Sequence, residues 1–457
     1  MQIERRALAH LEGWYTAHNR KPLVLRGARQ VGKTTLIRTF AVMKKKVLIE
    51  CNFERLPELL SLFKDNDPQQ TLLHLAAHFK KTIVPADTIL FLDEIQAAPI
   101  LLSKLRWFAE EMPELGVIAA GSLLEFTLAD HTFSMPVGRI QYYHLEPLSF
   151  EEFLTAKGLT TLLDYLQQYE WKNTVPTLIH QNLLDQFKEY LLVGGLPAAV
   201  ATWVETNTFD KVHQVHNDLL ATYKDDFSKY NGKLSREYLL EVFNAVPHNL
   251  GEKFVLSRIN QDYKLPPLKK ALQLLTMSKV CHRVHSATAN GLPLIAEPST
   301  SFFKMVFIDT GLVNSMLGLQ LHTLKKVADL NLIHQGGLSE QVVGQLLRTI
   351  NPFYVEPNLY YWVRHTKGSN AEIDYMIQHE DQIIPIEVKS GTTGTLKSLH
   401  FLMENKKLKR AVRINSDLPT ITFVDTKTTQ GLHAQYQLFS LPFYLIEQLH
   451  RLLQPSP

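Results

Sequence analysis

The stretch that decides the fold is Pro22-Leu23-Val24-Leu25-Arg26-Gly27-Ala28-Arg29-Gln30-Val31-Gly32-Lys33-Thr34-Thr35. A short apolar strand leads into a glycine-rich turn that fits G-x-x-x-x-G-K-[ST] at every fixed position, and residues 34–43 follow as a helix. Glycines at both ends of the turn let the backbone bend until successive N–H groups surround a phosphate, and the helix adds its positive end. The sequence therefore predicts a phosphate-binding loop between a strand and a helix.

The loop residues have separate predicted roles in binding ATP and Mg²⁺. The Lys33 ammonium is expected against the outer phosphates, where it also serves catalysis, and the Thr34 hydroxyl is an expected magnesium ligand. The other nucleotide-binding residues surround the phosphates mainly with their backbone: Gly27, Ala28, Arg29, Gln30, Val31, Gly32 and Thr35.

The second half of the predicted site is Thr88-Ile89-Leu90-Phe91-Leu92-Asp93-Glu94, an apolar strand that ends in two acids. Asp93 is expected to hold the magnesium through water, and Glu94 to orient or deprotonate the attacking water. Ser122 follows the strand predicted at residues 116–120 and is either a sensor of the outer phosphate or a strand-end cap. Together these residues predict ATP hydrolysis.

Arg139, in Pro136-Val137-Gly138-Arg139-Ile140, is the candidate for a catalytic arginine. Such an arginine neutralises charge that develops on the transferred phosphoryl group. The sequence leaves open whether it acts within its own subunit or on a neighbouring one. The alternative is an ordinary surface ion pair.

Short apolar strands at residues 47–51, 88–92 and 116–120 alternate with helices, which predicts an α/β fold with a mainly parallel, doubly covered sheet. We expect a P-loop NTPase core over residues 1–150 and a helical region over 151–234. Residues 235–334 predict a winged helix: a helix at 268–275, a strand at 280–284, a turn at 289–291 and a partner strand at 292–295. Residues 335–457 then predict a helix and several strands.

These motifs resemble the prokaryotic AAA-superfamily ATPases that carry a DUF4143 C-terminal region. The resemblance rests on residues 26–34, on Leu92-Asp93-Glu94-Ile95-Gln96 and on segments near residues 138–140, 145–150, 194–197, 307–312 and 386–391. It implies an AAA-type ATPase core, a winged-helix element and a C-terminal α/β domain of the restriction-endonuclease type.

A second set of chemically suggestive residues lies in that C-terminal domain. Glu387 and Lys389 alternate on one strand, so they share a face, and Asp374 joins them if the neighbouring strands pair. The set resembles the PD-(D/E)xK nuclease core, with Glu340 at the position of its helical acid. It can bind magnesium and assist phosphodiester cleavage, or it can be a simple Glu–Lys ion pair in a domain kept for binding.

Composition limits the remaining possibilities. The chain has 457 residues, a formal net charge of +3 and two cysteines, Cys51 and Cys281, which exclude a disulfide framework. Without a secretory signal or a long apolar run, we expect a cytoplasmic protein that has no membrane partner. DNA is a possible partner through cations of the winged-helix region, namely Lys264, Lys269, Lys270, Lys279, His282, Arg283 and His285. The alternatives are a protein partner or self-assembly.

Overall fold

The computed structural model describes residues 3–129, 136–229, 234–294, 303–318, 336–364, 371–389, 396–428 and 431–454. Its helices are α1 (Ala7–Thr16), α2 (Lys33–Met43), α3 (Pro68–Phe79), α4 (Ile100–Glu111), α5 (Leu124–Ala129), α6 (Phe150–Ala156), α7 (Thr160–Gln168), α8 (Thr177–Val193), α9 (Pro197–Thr206), α10 (Phe209–Asp226), α11 (Arg236–His248), α12 (Leu265–Met277), α13 (Thr310–Met316), α14 (Gly336–Leu347), α15 (Lys397–Asn405) and α16 (Leu449–Leu452). Its strands are β1 (Leu23–Arg26), β2 (Val47–Asn52), β3 (Thr88–Asp93), β4 (Gly116–Ala120), β5 (Gln141–His144), β6 (Cys281–Ser286), β7 (Phe303–Phe307), β8 (Leu359–Val363), β9 (Glu372–His379), β10 (Gln382–Val388), β11 (Arg410–Asn415), β12 (Thr420–Lys427) and β13 (His433–Pro442).

The N-terminal sheet has five parallel strands in the order β2-β3-β4-β1-β5. Every residue of β3 and β4 is buried, as expected for strands covered by helices on both faces. The prediction of a parallel, doubly covered sheet is confirmed. Because the strands are parallel, the loops after β1, β3 and β4 all leave from the same edge.

The second sheet has eight strands in the order β12-β13-β11-β10-β9-β8-β6-β7. It is mixed: β10 pairs antiparallel with β9 and parallel with β11. The pairing of β9 with β10 was expected, whereas β12 and β13 were not predicted. This sheet is the C-terminal α/β element that the motifs indicated.

The predicted partner of the strand at residues 280–284 is wrong. The antiparallel partner of β6 is β7 and not residues 292–295, of which residue 295 lies outside the described part of the chain. β6 also pairs parallel with β8, so this strand pair belongs to the eight-stranded sheet and does not stand apart as a wing. Strand pairing across 73 residues cannot be read from local turn signals, because β6 and β8 meet only through tertiary packing.

The region between the sheets is helical from α6 to α10, as predicted. Two of the sequence motifs meet here, because the backbone N–H of Gly195 donates to Asp309 Oδ2 at 2.6 Å. Asp309 is fully buried and also caps α13 by accepting from the N–H of Leu312 at 3.2 Å. The motif around residues 194–197 is thereby joined to the one around residues 307–312.

One hydrophobic cluster joins the regions. It contains Leu25 and Phe40 of the N-terminal part, Tyr223 of α10, Phe243 of α11 and Phe307 of β7. The proposed boundaries at residues 150/151 and 234/235 are therefore crossed by continuous packing, and 334/335 falls outside the described residues. Within the described ranges, no helix combines the length and the apolar character needed to cross a bilayer.

Candidate nucleotide-binding site

The loop after β1 has the backbone conformation that its glycines predict. Gly32 has φ +94° and Gln30 has φ +66°, both in the left-handed region. A Cβ at Gly27 would stand 2.4 Å from the carbonyl oxygen of Leu145, which leaves no room for a larger residue. The loop therefore turns tightly against the segment after β5 and directs the chain into α2.

Lys33 begins α2 and is 8% exposed. Its ammonium donates to the carbonyl oxygens of Gly27 at 2.9 Å and Ala28 at 2.7 Å. Burial lowers the pKa of Lys33 to about 8, although the carboxylates of Glu94 and Asp93 oppose this shift. The ammonium is thus held inside the curve of the loop by two carbonyls, where a phosphate can replace them.

Three polar side chains converge at the ends of β2, β3 and the loop. The Thr34 hydroxyl lies 3.3 Å from Asp93 Oδ2, and the Asn52 amide donates to the same oxygen at 3.0 Å. Burial and the neighbouring Glu94 raise the pKa of Asp93. Hydroxyl and carboxylate oxygens are the donors that Mg²⁺ prefers, so Thr34 and Asp93 fit this ion. Asn52 was missed in the sequence, although its position at the end of β2, beside Asp93, could have indicated it.

Glu94 follows β3 with φ +50°, a conformation that costs energy for a residue other than glycine and that is frequent at functional sites. Its carboxylate accepts from the Gln96 amide at 2.6 Å, the Ser122 hydroxyl at 3.2 Å and the Ser122 N–H at 3.3 Å. Ser122 is therefore placed next to Glu94, as a serine at the end of the adjacent strand should be. The structure brings Lys33, Thr34, Asp93, Glu94 and Ser122 to one edge of the sheet.

The outer side of the loop is held by two distant elements. Arg29 forms an ion pair with Asp226 of α10, and Tyr223 donates to the Arg29 carbonyl at 2.8 Å. From the N-terminus, Arg5 donates to the Val31 carbonyl at 2.9 Å. Asp226 is 5% exposed, so the acid of this ion pair is buried beside the loop.

Arg139 lies apart from these residues. Its Nε donates to Glu110 Oε1 at 2.7 Å, and its side chain is 49% exposed. This is the surface ion pair that the sequence left open. A catalytic role for Arg139 stays a prediction, and it would require a neighbouring subunit or a rearrangement.

The C-terminal acids also come together, but around a lysine. Lys304 of β7 is almost fully buried, with its Nζ 2.9 Å from Glu340 Oε2 and 3.7 Å from Asp374 Oδ1, and it pairs with Glu372. Burial alone would lower the pKa of Lys304, but the three carboxylates outweigh it and raise the pKa. Lys304 was not predicted, because it comes from a strand assigned to no site.

The predicted nuclease-like residues occupy the edge of the same cluster. Lys389 Nζ lies 2.6 Å from Glu387 Oε1, and Asp374 Oδ2 accepts from the Val388 N–H at 2.8 Å. Burial and the Asp374 carboxylate raise the pKa of Glu387. The Lys304 ammonium supplies positive charge beside both Glu340 and Asp374, where a divalent ion would otherwise supply it. Consistently, no group of three metal-binding side chains is found within the described ranges.

The matches to known domain families agree with this geometry. Residues 19–154 match the AAA domain, residues 335–444 a domain of unknown function, DUF4143, and residues 184–323 a further domain of unknown function, DUF8612. The fold and site define a P-loop NTPase. The chain therefore combines an AAA domain with a DUF4143 C-terminal region. No curated protein matches the chain.

Solved structures resemble the chain at low identity. The Walker-type ATPase PABY2304 of Pyrococcus abyssi is 17% identical, over 69% of this chain and 96% of its own, with a TM-score of 0.44. The STAND protein PH0952 of Pyrococcus horikoshii, which has a tetratricopeptide repeat sensor, is 14% identical over 78% and 47%, with a TM-score of 0.26. The Aeropyrum pernix ORC1 protein in complex with DNA is 11% identical over 70% and 92%, with a TM-score of 0.28.

Proposed function

We propose that this protein binds ATP with Mg²⁺ and hydrolyses it. The observation that carries the proposal is the convergence of Lys33, the Thr34–Asp93 pair and Glu94 at one edge of a parallel sheet. A bound triphosphate would balance the positive charge of the buried Lys33 ammonium. Mg²⁺ would in turn neutralise part of the charge on the outer phosphate oxygens.

The chain's own groups then have distinct tasks. Lys33 exchanges the Gly27 and Ala28 carbonyls for phosphate oxygens, and Thr34 and Asp93 are the residues that would hold the ion, directly or through water. Glu94 orients a water molecule and accepts its proton, while Ser122 keeps the Glu94 carboxylate in place.

Two substitutions test this assignment. Lys33→Ala should remove tight binding of fluorescent Mg-ATP, whereas Glu94→Gln should bind it normally and release phosphate at least about a hundredfold more slowly. Arg106→Ala, at an exposed residue paired with Glu110, is the matched control and should leave both measurements unchanged. Normal turnover by Glu94→Gln would show that Glu94 has no part in hydrolysis.

We further propose that the nucleotide state is passed to the C-terminal half through ion pairs. Arg26, directly before the loop, pairs with Glu125, and Lys279 lies 3.4 Å from the same carboxylate. On the other side, Arg29 is tied to α10 through Asp226. A phosphate that moves the loop must therefore disturb contacts with both α10 and the turn before β6. The output is then a change in how the C-terminal half contacts a partner.

A DNA nuclease is the second candidate for this output. Lys304 argues against it, because an internal ammonium occupies the centre of the carboxylates that would bind the metal. Wild-type protein should leave supercoiled plasmid intact in Mg²⁺ or Mn²⁺, with or without ATP. If the wild-type protein cleaves the plasmid and Lys389→Ala does not, the C-terminal domain is a nuclease. The ATPase proposal would not be affected by that result.

A further inference from the structure

A large cavity opens between α12, β6 and the segments around residues 253–257 and 356–358. Its volume is about 830 Å³, within the range of small-molecule sites. Basic side chains from five parts of the chain line it: Lys253, Lys269, Lys279, His282, Arg283, His285 and Arg348. Among the described residues of the lining, Glu356 is the single acidic one. The five lysines and arginines of the lining therefore outnumber its acids.

Five of the cations that suggested DNA binding in the sequence point to this one place. Lys269, Lys279, His282, Arg283 and His285 line the cavity, whereas Lys264 and Lys270 do not. The strand that carries three of them, β6, lies inside the eight-stranded sheet. These charges are thus arranged around a concave site and not along an exposed wing that could follow a duplex groove.

Arg283 is the residue of the lining that most clearly indicates an anion site. Its Nε is buried without a hydrogen bond, and no carboxylate pairs with its guanidinium within the described ranges. The group lies over the Phe303 ring at 5.2 Å, and burial lowers its pKa. Burying the Nε of a guanidinium without a hydrogen bond is unfavourable unless an acceptor, such as the oxygen of an anion, completes the site.

Two other cations of the lining have acidic partners within the chain. Lys279 shares Glu125 with Arg26, and Arg348 binds Glu146. Neither acid contacts Arg283. His282 is 8% exposed, and burial keeps its pKa well below the usual value, so it is a neutral imidazole available for hydrogen bonding. Hence the internal acids do not balance the charge around Arg283.

Another part of the lining is apolar. It is formed by Phe254, Leu256, Leu265 and Leu272, with the Phe303 ring beneath the Arg283 guanidinium. A ligand that satisfies both parts carries a phosphate at one end and a planar or apolar group at the other. We propose that this cavity is a second anion site, distinct from the P-loop, that binds a phosphorylated small molecule of nucleotide size.

The test uses full-length Lys33→Ala protein, so that the P-loop does not contribute to binding. Titration with mant-ADP should still show saturable binding that is weaker than the tight Mg-ATP binding of the wild-type P-loop, with inorganic pyrophosphate as competitor. Adding Arg283→Ala should weaken binding about tenfold or more, the usual effect of losing a charge-assisted hydrogen bond in a buried site. Lys269→Ala, on the exposed face of α12, should weaken it several-fold without risk to folding. Arg106→Ala is the control and should have no effect.

Three results would overturn the proposal. These are the absence of saturable binding in the Lys33→Ala protein, equal affinity with and without Arg283 and Lys269, and Arg283-dependent binding of a labelled single-stranded oligonucleotide but not of mant-ADP. The melting temperature of each variant shows whether a loss of binding is merely a loss of fold.

Discussion

The charged form of Lys33 is disfavoured in the free protein, yet it is the form that binds a phosphate. Its ammonium is buried among loop carbonyls, and its charge has two neighbouring carboxylates but no direct ion pair in the described structure. Removal from water disfavours the charged form, while a bound phosphate would favour it. The lowered pKa is therefore a property of the nucleotide-free site.

This gives a pH prediction for binding. Because the pKa of Lys33 is about 8 in the free protein, the lysine is charged below that pH and becomes neutral above it. The affinity for mant-ADP should be constant between pH 6.5 and 7.5 and fall as the pH rises through about 8. In Lys33→Arg protein, whose guanidinium does not titrate in this range, any remaining affinity should be independent of pH. A wild-type affinity unchanged up to pH 10 would contradict the shift.

Gly27 gives a stability prediction. A methyl group there meets a backbone carbonyl at 2.4 Å, which cannot swing aside as a side chain can. Gly27→Ala should lower the free energy of unfolding by about 2–3 kcal/mol, measured by urea denaturation. Gly13→Ala is the matched control: nothing lies within 4 Å of its added Cβ in α1, so it should be neutral or stabilise by up to about 1 kcal/mol. Similar effects of both substitutions would mean that the close approach to Leu145 is unimportant.

At the level of elements, the ion pairs of Lys304 connect one strand to a helix and a second strand. It lies on β7 and binds carboxylates of α14 and β9, and Tyr375 adds a hydrogen bond to the Glu340 carbonyl at 2.8 Å. The cluster thus attaches the edge strand pair β6–β7 to the rest of the C-terminal sheet. The cluster therefore has a structural role in the C-terminal sheet.

Removing that ammonium should be costly. Lys304→Met removes a buried ammonium and leaves three partly buried carboxylates without that counter-charge, so we expect a loss of about 3–5 kcal/mol in the free energy of unfolding at pH 7. Lys172→Met breaks an exposed pair with Glu170 and should change stability by less than about 1 kcal/mol. An equally small effect at Lys304 would show that water, and not the lysine, compensates the acids.

At the level of the whole molecule, the C-terminal sheet is not built from the C-terminal residues alone. β6 and β7 precede the DUF4143 match at residues 335–444, and β6 pairs directly with β8. The hydrophobic cluster that continues from β7 reaches the helices beside the P-loop. We therefore expect the regions of the chain to depend on one another for folding and not to fold as independent domains.

Truncation tests this prediction. A fragment of residues 335–457 lacks two strands of its sheet and the lysine of its acidic cluster, so it should fail to give a cooperative thermal transition by circular dichroism. A fragment of residues 235–457 restores both and should be more structured. Cooperative folding of the shorter fragment would mean that β6 and β7 are dispensable additions.

The sequence by itself determined the P-loop, the acidic strand end and the parallel sheet. Each of these follows from contiguous residues: glycines that permit one backbone path, an apolar run that only a buried strand can use, and polar groups at its end. It also gave the acids of the C-terminal cluster, since strand alternation and the pairing of β9 with β10 are local.

Tertiary structure alone decided the rest. The partner of β6, the central position of Lys304, the contact of Asp226 with Arg29 and the gathering of cations around one cavity all join residues far apart in the chain. Such contacts depend on how several layers of secondary structure pack together. A local sequence pattern carries no information about that packing. Lys304 belongs to no element predicted from the sequence, and Arg283 is there only one of several candidate DNA-binding cations. Their roles in the cluster and in the cavity follow from their surroundings in the structure.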